Sequence, residues 1–212
     1  FYLAPTNPTV EDYLLNVISE LSEKYLLDGI HYDYIRFHNS KYGFNEAGLT
    51  EFRTLNKISA INHNEDDSVI FSEFKRNSIT SFVKEAKELI KRNLPNSIIS
   101  AAVKPNIYDA KLLFFQEWDL WLAAGYLDWA VPMNYVVDNN KFVQNMYMVK
   151  DNIPSRYHNN IIVGISTYNQ SARIVGKKIK RLKKMSFNNI SIFSYTVFVD
   201  KPYYWKKLKR YF

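Results

Sequence analysis

The sequence predicts an α/β fold in which parallel strands alternate with helices. Four strand-like segments begin at residues 98, 128, 161 and 190, so that their starts lie 30, 33 and 29 residues apart. This spacing is the length of a βαβ unit. The four segments are nearly continuous apolar runs, which is typical of parallel strands that helices cover. A fifth and more polar segment, Gly29–Phe37, precedes them.

Each element has a local signal. Pro8 starts a helix whose apolar residues share one face, Asp28-Gly29 turns the chain into the first strand, and Pro105 ends the second strand. The predicted elements are, in order, a helix from Pro8 to about Tyr25, a strand at Gly29–Phe37, a long connection with the polar stretch Asn62–Ser68, a helix at Ser72–Asn93, a strand at Ile98–Lys104, a helix at Gln116–Ala124, a strand at Asp128–Tyr135, a helix at Asn140–Asp151, a strand at Ile161–Tyr168, a helix at Ser171–Met185, a strand at Ile190–Tyr195 and a short helix at Pro202–Tyr211.

Two architectures fit five strands with helical crossovers: an open doubly wound sheet and part of a (β/α)8 TIM barrel. No Gly-rich phosphate loop follows any strand, which argues against a nucleotide-binding, doubly wound sheet. A complete barrel usually needs about 250 residues, whereas this chain has 212 and opens at Phe1 rather than at methionine. We therefore expect residues 1–212 to form a single barrel domain that is incomplete at its N-terminal side.

Composition excludes several classes of protein. Apolar residues make up 47% of the chain, so a real core can form. The absence of cysteine excludes disulfide scaffolds, thiolate zinc sites, iron–sulfur clusters and cysteine nucleophiles. No apolar run is long enough to span a membrane, and no signal peptide is visible in this chain.

Charge is distributed unevenly. The segment from Arg173 to Phe212 holds twelve basic residues and one acid, Asp200, so it carries +11 while residues 1–172 carry −4. One interpretation is attraction to an anionic partner such as a nucleic acid, a lipid surface or a wall polymer. We favour a simpler one, in which the lysines form the solvated faces of two amphipathic helices, because Val175, Ile179 and Leu182 recur between them at helical spacing.

The first strand carries the best candidate for catalysis. Alternation along Gly29–Phe37 places His31 and Asp33 on one face and Ile30, Tyr32 and Tyr34 on the other, which should pack beneath helices. A carboxylate that faces the interior of a barrel is costly unless it is paired or used. Asp33 is therefore the predicted catalytic residue, and Arg36 is its partner if its role is only structural.

Polar and aromatic residues at the other strand ends suit a sugar. In parallel α/β folds, the active site lies at the carboxyl ends of the strands. Amide, tyrosine and lysine side chains gathered around one acid would bind hydroxyl groups. The residues at these ends are Lys104, Asn106, Asn134, Tyr135, Tyr168, Asn169 and Tyr195.

Six segments carry a further signal and together reach from residue 2 to about 196: LAPTNPTVEDYLL, YLLDGIHYDYIRF, SAAVKP, FFQEWDLWLAAGYLDWAVPMNY, VGISTY and ISIFSY. In these segments the sequence resembles the bacterial glycosyl-hydrolase-like family 10, whose domain is a (β/α)8 barrel of exported, envelope-associated proteins. The combination of the first-strand motif with the tryptophan-rich motif is specific, whereas each alone is weak.

The resemblance implies that the five strands are the fourth to eighth of the barrel. Asp33 would match the aspartate that the family uses in hydrolysis, and Arg36 the usual arginine, whereas Phe37 stands where tyrosine followed by proline is common.

The resemblance and the residues at the strand ends together imply an exported glycosidase that needs no cofactor or metal. It would act in the periplasm, at the cell surface or outside the cell. Its substrate would be a cell-wall or environmental polysaccharide, and no nucleic acid partner is expected. Lys104, Gln116, Trp118, Asn134 and Tyr135 also fall on family motif positions; the full set of predicted substrate-binding residues is His31, Arg36, Lys104, Trp118, Asn134, Tyr135, Tyr168 and Tyr195.

Glycoside hydrolysis usually needs two carboxylates that flank the scissile bond. The second is open: Asp109, Glu117, Asp119 and Asp138 lie in loops or at helix starts, and it could also lie outside this chain. A non-catalytic carbohydrate-binding barrel is one alternative function, and a metal-dependent hydrolase built on His31 and Asp33 is another. The latter is disfavoured because, of the four histidines, only His31 is on a predicted strand, whereas catalytic zinc normally has three protein ligands.

Overall fold

The computed structural model of the protein describes residues 2–57 and 65–212, without the side chains of residues 65–67. The chain divides into two compact units. The first contains the described residues up to Ala101 together with Tyr108–Asp128, and the second contains Ala102–Ile107 and Trp129–Phe212. Each unit is described on its own.

Helices and strands alternate along both units. The elements of the first unit are α1 (Pro8–Lys24), β1 (Gly29–Tyr32), α2 (Glu46–Asn56), α3 (Glu65–Asn93), the start of β2 (Ile98–Val103), α4 (Ile107–Leu113) and α5 (Trp118–Ala123). The second unit holds the end of β2, β3 (Trp129–Pro132), α6 (Asn139–Asn152), a 3₁₀ turn (Ser155–Asn160), β4 (Val163–Ser166), α7 (Ala172–Lys184), β5 (Ile190–Phe193), α8 (Thr196–Asp200), α9 (Pro202–Leu208) and a final 3₁₀ turn (Lys209–Tyr211).

The strands pair in parallel. In the first unit β1 lies beside β2, with His31 opposite Ser100 and Tyr32 opposite Ala101. Gly29 lets the two strands approach closely, since a Cβ at this position would lie 2.4 Å from the carbonyl oxygen of Ile98. In the second unit parallel bridges join β3 to β4, and Val163–Ser166 of β4 pair with Ile190–Phe193 of β5.

Asp128 is hydrogen-bonded to β2 in the first unit. Its backbone N–H donates to the carbonyl of Ile99 over 2.8 Å, and its carboxylate accepts the N–H of Ile99 over 2.8 Å. The same carboxylate lies 3.4 Å from the ammonium of Lys91, near the end of α3. One residue thus satisfies both backbone groups of Ile99.

The core of the first unit lies on α3. Ile79, Val83, Ala86 and Ile90 recur at helical spacing and are all buried. Helix α1 packs against α3, and Phe52 of α2 packs against Phe71 with ring centroids 5.0 Å apart. This apolar stripe explains why a 29-residue helix with many charges is stable.

The core of the second unit lies between strand β4, whose four residues are all buried, and two helices. Helix α6 contributes Phe142, Met146 and Val149, and α7 contributes Val175, Ile179 and Leu182. Lys178 is fully buried on the same face of α7, where its ammonium donates to the carbonyls of Val136 and Val137 and to the side-chain oxygen of Gln170.

The α/β class with parallel strands is confirmed, and several boundaries differ from the predictions. Strand β1 ends at Tyr32 rather than at Phe37, because Tyr34 takes a left-handed backbone conformation with φ of 60° that no strand can accommodate. Helices α2, α4 and α8 lie where no helix was expected, and the predicted C-terminal helix is divided into α9 and a 3₁₀ turn. Positions 62–64 of the predicted polar stretch lie outside the described residues.

Candidate functional site

Asp33 lies directly after the carboxyl end of β1 and is exposed. One of its carboxylate oxygens accepts the backbone N–H of Tyr34 over 2.7 Å. The left-handed conformation of Tyr34 then turns the chain away from the strand direction. The turn leaves the rest of the carboxylate free to meet a ligand.

A cluster of aromatic side chains surrounds this turn, and we call Tyr2, Tyr34, His38 and Tyr42 the tyrosine cluster. The ring of Tyr34 stacks on Tyr2 at 5.5 Å, and Tyr2 stacks on His38 at 5.0 Å. The hydroxyl of Tyr34 lies 2.7 Å from Nδ1 of His38. The three tyrosines are 40–52% exposed, so the cluster offers aromatic surface next to Asp33. We expected Tyr34 to pack beneath a helix; this was wrong, because the turn at Tyr34 carries its ring to the surface.

His31 lies in β1 and lines the same cavity as Asp33. Its Nδ1 lies 2.8 Å from the hydroxyl of Ser100 on β2. Burial of part of the ring lowers the pKa of His31, and the charge of Asp33 opposes that effect. The lowered pKa favours the neutral ring, which serves as a hydrogen-bonding group rather than as a cation.

Arg36 does not form the ion pair that a purely structural role for Asp33 requires. Within the described residues, the two side chains have no nitrogen–oxygen contact within 4 Å. The guanidinium of Arg36 lies 4.1 Å over the ring of Tyr34 instead. Its Nη1 is buried and has no hydrogen-bond partner, and burial lowers its pKa. Arg36 thus forms no ion pair with Asp33, although the charge of Asp33 partly offsets the effect of burial on its pKa.

These residues line one cavity of about 590 Å³ in the first unit, a size usual for ligand sites. His31, Asp33, Arg36 and the tyrosine cluster form its polar and aromatic part. Val10, Leu14 and Val17 of α1 form its apolar part together with Ile79 and Phe82 of α3. A site of this kind binds a ligand that has both hydroxyl groups and apolar ring faces.

Glu11 of α1 lines the same cavity and was not predicted. Its Oε1 is buried without a hydrogen-bond partner. Burial raises the pKa of Glu11, and the charges of Glu85 and Asp12 raise it further. A carboxyl group with a raised pKa can donate a proton near neutral pH. No motif distinguishes Glu11 in the sequence, because its position depends on how α1 packs.

Contacts from neighbouring elements fix the segment that follows Asp33. The side-chain amide of Gln116 donates to the carbonyl of Ile35 over 3.0 Å, and the backbone N–H of Phe37 donates to the carbonyl of Phe114 over 3.1 Å. Lys75 of α3 is 3% exposed, and its ammonium donates to the carbonyl of Ser40 over 3.3 Å. Phenylalanine rings surround that ammonium, at centroid distances from 3.9 Å (Phe115) to 5.9 Å (Phe37).

Asn134 lies in the second unit and is fully buried. Its amide nitrogen donates to the carbonyl of Phe142 over 2.9 Å, and its oxygen accepts from the amide of Asn145 over 3.1 Å. These bonds join the end of β3 to α6. As placed, Asn134 stabilises the unit and presents no group to a ligand.

Three aromatic residues gather at the strand ends of the second unit. Tyr135 stacks on Phe193 with centroids 5.4 Å apart, and Tyr168 meets the same ring edge-on at 6.2 Å. Tyr168 and Phe193 are both more than half exposed. Tyr195 is 76% exposed and contacts Phe198, while Lys104 is half-buried. Tyr135, Tyr168 and Phe193 thus form a second aromatic surface, and Phe193 was not predicted.

The remaining predicted residues take structural positions. Trp118 is fully buried at the start of α5. Oε1 of Glu117 lies 2.9 Å from Nζ of Lys111 and 3.7 Å from Nε of Arg76. Asp138 caps α6 by accepting the N–H of Lys141. Asp109 lies in α4 and Asp119 in α5. None of these carboxylates lines the cavity that holds Asp33.

Two further observations concern metals and membranes. Among the side chains that the structure describes, those of residues 2–57 and 68–212, no three histidine, aspartate or glutamate groups come together as a metal site would require. His63, one of the four histidines, lies outside the described part. No helix in that part is both long enough and apolar enough to cross a bilayer.

A solved glycoside hydrolase fold is similar to this chain. The structure of the PgaB (BpsB) glycoside hydrolase domain from Bordetella bronchiseptica matches it with a TM-score of 0.76 at 10% sequence identity. The match covers 94% of this chain and 61% of that one, so this chain spans about three fifths of the length of that structure. Likeness at this identity shows the fold alone. No curated protein matches the chain in sequence.

The family follows from the sequence itself. The model of the family Glycosyl hydrolase-like 10 matches residues 1–187. The chain therefore belongs to the Glycosyl hydrolase-like 10 family, which confirms the resemblance drawn from its strand motifs. Its fold is that of a carbohydrate-related, hydrolase-like protein.

Proposed function

We propose that this chain is the catalytic part of a glycoside hydrolase that cleaves a polysaccharide, with Asp33 as general acid or nucleophile. The observation that carries the proposal is the position of Asp33. Its carboxylate follows a parallel strand, lines a cavity and has exposed aromatic rings beside it. Sugars bind through hydroxyl groups and through ring faces that stack on aromatic side chains, and this cavity offers partners for both.

The residues around Asp33 have separate tasks in this proposal. The rings of the tyrosine cluster stack against a sugar, and neutral His31 donates a hydrogen bond or accepts one from a hydroxyl. Asp33 gives a proton to the departing glycosidic oxygen, or attacks the anomeric carbon, and water completes the cleavage. Glu11 is the partner carboxyl that we propose to test, because it lines the same cavity and its raised pKa suits a proton donor.

Several wider predictions belong to this proposal. The five strands correspond to the fourth to eighth strands of a (β/α)8 barrel, residues 1–212 form one barrel domain, and the protein is exported to the cell envelope or beyond. Tyr135, Tyr168, Tyr195 and Lys104 bind substrate hydroxyl groups. Support comes from the family membership and from the similar fold of a longer glycoside hydrolase domain.

A carbohydrate-binding function without turnover is the second candidate. One observation favours it: apart from Asp33, the only carboxylate on the described lining of the cavity is Glu11, which lies on a helix rather than at a strand end. Measuring binding and turnover separately distinguishes the two functions.

The test compares Asp33→Asn and Glu11→Gln in the complete natural protein. Each change keeps the shape of the side chain and removes its acid chemistry. Glu23→Gln is the matched control, because Glu23 is exposed on the same helix as Glu11 and does not line the cavity. Release of reducing ends from a panel of polysaccharides measures turnover, and calorimetry measures binding.

We expect Asp33→Asn to lower turnover about a hundredfold or more, the usual contribution of an acid or base group, while binding persists. The control should match the wild type. Turnover that survives Asp33→Asn contradicts the mechanism, and sugar binding without any turnover in the wild type favours the second candidate. If neither binding nor turnover is found on any polysaccharide, the proposal fails as a whole.

A further inference from the structure

The C-terminal helices carry a concentration of unpaired positive charge. Of the twelve basic residues after residue 172, only Lys178 is buried, and the other eleven are exposed. Among the described side chains, those of residues 2–57 and 68–212, the ion pairs within 4 Å include none of these twelve. An amphipathic helix explains why they face solvent, but it does not explain why acidic residues are nearly absent among them.

Exposed aromatic residues lie between these charges. The ammonium of Lys180 on α7 lies 5.2 Å from the ring centroid of Tyr211, and that of Lys183 donates to the carbonyl of Phe212 over 2.6 Å. The ring of Phe212 in turn lies 6.0 Å from Trp205 of α9. Phe212 and Trp205 are both about half exposed. These contacts join α7, α9 and the last residues into one surface, which we call the basic aromatic surface.

The arrangement of the rings indicates what this surface binds. A nucleic acid base or a sugar needs an open ring face on which to stack. Here Lys180 lies over Tyr211 and Lys207 over Tyr203, while Trp205 contacts both Phe198 and Phe212. Lysine ammonium groups thus lie over the rings of Tyr211 and Tyr203. The half-exposed rings of Trp205 and Phe212 are tilted by 44° to one another, so they do not form a flat platform for stacking.

Tryptophan and tyrosine rings flanked by lysine are typical of the boundary between lipid headgroups and acyl chains. The rings replace water at the apolar side of that boundary, and each lysine close to an anionic bilayer adds about 1 kcal/mol of attraction. The basic aromatic surface supplies both contributions on the same helices, without any membrane-spanning segment.

We propose that the basic aromatic surface docks this protein on the anionic headgroup layer of a lipid bilayer. Trp205 and Phe212 enter the headgroup region, and the lysines of α7 and α9 contact lipid phosphates. The proposal does not depend on whether Asp33 is catalytic.

The test measures sedimentation of the whole chain with vesicles. Vesicles of 30% phosphatidylglycerol in phosphatidylcholine are compared with pure phosphatidylcholine at 0.1 M salt. One variant replaces four lysines of the surface by glutamine, at positions 180, 183, 206 and 207. Its matched control makes the same change at four exposed lysines elsewhere, at positions 41, 84, 141 and 150.

A spectroscopic measurement follows the aromatic part. Trp118 and Trp121 are fully buried, whereas Trp129 is 38% and Trp205 47% exposed. In a Trp129→Phe background, Trp205 is therefore the tryptophan that solvent can reach. Its emission should shift to shorter wavelength on anionic vesicles, and acrylamide should quench it less.

We expect binding to the anionic vesicles only, with affinity at least about a hundredfold lower for the surface variant, since four lysines are involved. The control should lose less than about fivefold. Equal losses in both variants would mean that net charge alone drives binding, and would overturn the proposal. So would an unshifted Trp205 emission, no binding to anionic vesicles, or tighter binding to duplex DNA or to polyglucuronate than to the vesicles.

Discussion

At the scale of single residues, two buried lysines differ in their hydrogen bonds, although burial lowers the pKa of both from 10.5 to about 8. Lys178 in the second unit finds three hydrogen-bond acceptors. Lys75 in the first unit, within the described residues, finds one, the carbonyl of Ser40, and is otherwise enclosed by aromatic rings. Burial lowers the pKa of Lys75 from 10.5 to about 8, and Arg76 contributes in the same direction. The free energy of unfolding must therefore contain a cost for keeping Lys75 charged.

The sign of this cost gives a prediction for Lys75→Met. Below pH 8 both the folded and the unfolded chain bind the proton, so the cost is fully present. Between pH 8 and 10.5 the unfolded chain binds more protons, and stability rises with pH. Methionine removes the charge at similar size, so the free energy of unfolding at pH 7 should rise by up to about 3 kcal/mol. Urea unfolding of the variant and the wild type at pH 7, 8.5 and 9.5 measures this gain. The free energy of unfolding should also rise less steeply with pH in the variant than in the wild type.

Lys84→Met is the matched control for Lys75→Met, because Lys84 is exposed on the same helix. It should change the free energy of unfolding by less than about 0.5 kcal/mol. A Lys75→Met variant that is less stable than the wild type at pH 7 would show that the aromatic rings stabilise the cation more than water does.

The sequence predicts only part of the candidate site. Alternation along β1 gives the direction of His31 and Asp33, because the period of a strand is fixed by its geometry. It does not give Tyr34, since the turn that brings this ring to the surface depends on a single left-handed residue. Recurrence of Tyr34, His38 and Tyr42 at every fourth position was a signal that could have revealed the tyrosine cluster. The burial of Asn134 and Trp118 follows from tertiary packing, which no local pattern contains.

At the scale of elements, boundaries were predicted best where a side chain sets them. Ser171 caps α7 by accepting the N–H of Ile174, and Asn7 and Pro8 start α1. Helix α2 was missed, although Asn45 caps it, because Gly48 and few apolar residues weaken its helical pattern. Strands β3 and β4 are shorter than their apolar runs, since hydrophobicity continues into the buried connections.

The pairing of β1 with β2 gives a prediction for Gly29→Ala. The new Cβ would meet the carbonyl oxygen of Ile98, and backbone cannot move aside as a side chain can. We expect the free energy of unfolding to fall by about 1–3 kcal/mol, as for other overpacked positions. Urea unfolding measures the loss.

Leu26→Ala is the control for Gly29→Ala, because Leu26 lies just before β1 and is fully exposed. Its effect should stay within about 0.5 kcal/mol. If Gly29→Ala also stays within that limit, the close approach of the two strands does not restrict this position.

At the scale of the whole molecule, the regular spacing of the strands predicted a parallel α/β fold, because a βαβ crossover has a characteristic length. The division into two compact units could not be predicted, since it depends on contacts between residues distant in sequence. In the part of the chain that the structure describes, β1 and β5 each pair with one strand only. Unpaired strand edges favour association with other chains.

We therefore predict that the 212-residue chain self-associates in a concentration-dependent way. Ser191 lies in β5 and is half-exposed, so Ser191→Lys places a charge at one edge without entering the core. A chain with two open edges can form larger assemblies, whereas a chain with one can only form dimers. The variant should shift the population from larger species to dimers, which sedimentation velocity measures.

Asn188→Lys adds the same charge in the exposed connection before β5 and should leave the larger species unchanged. A wild-type chain that stays monomeric at about 100 μM would show that the edges do not mediate association, because open strand edges are expected to pair at such concentrations.

Asp128 carries a consequence for how this sequence can vary. Its backbone N–H donates to the carbonyl of Ile99, and its carboxylate accepts the N–H of Ile99. The same carboxylate lies close to the ammonium of Lys91. Asparagine would keep one acceptor but not the charge, glutamate would carry its oxygens too far from the backbone, and alanine would leave the Ile99 N–H unpaired. A library of variants selected only for folding should therefore retain aspartate at this position, although its partial exposure makes it look replaceable.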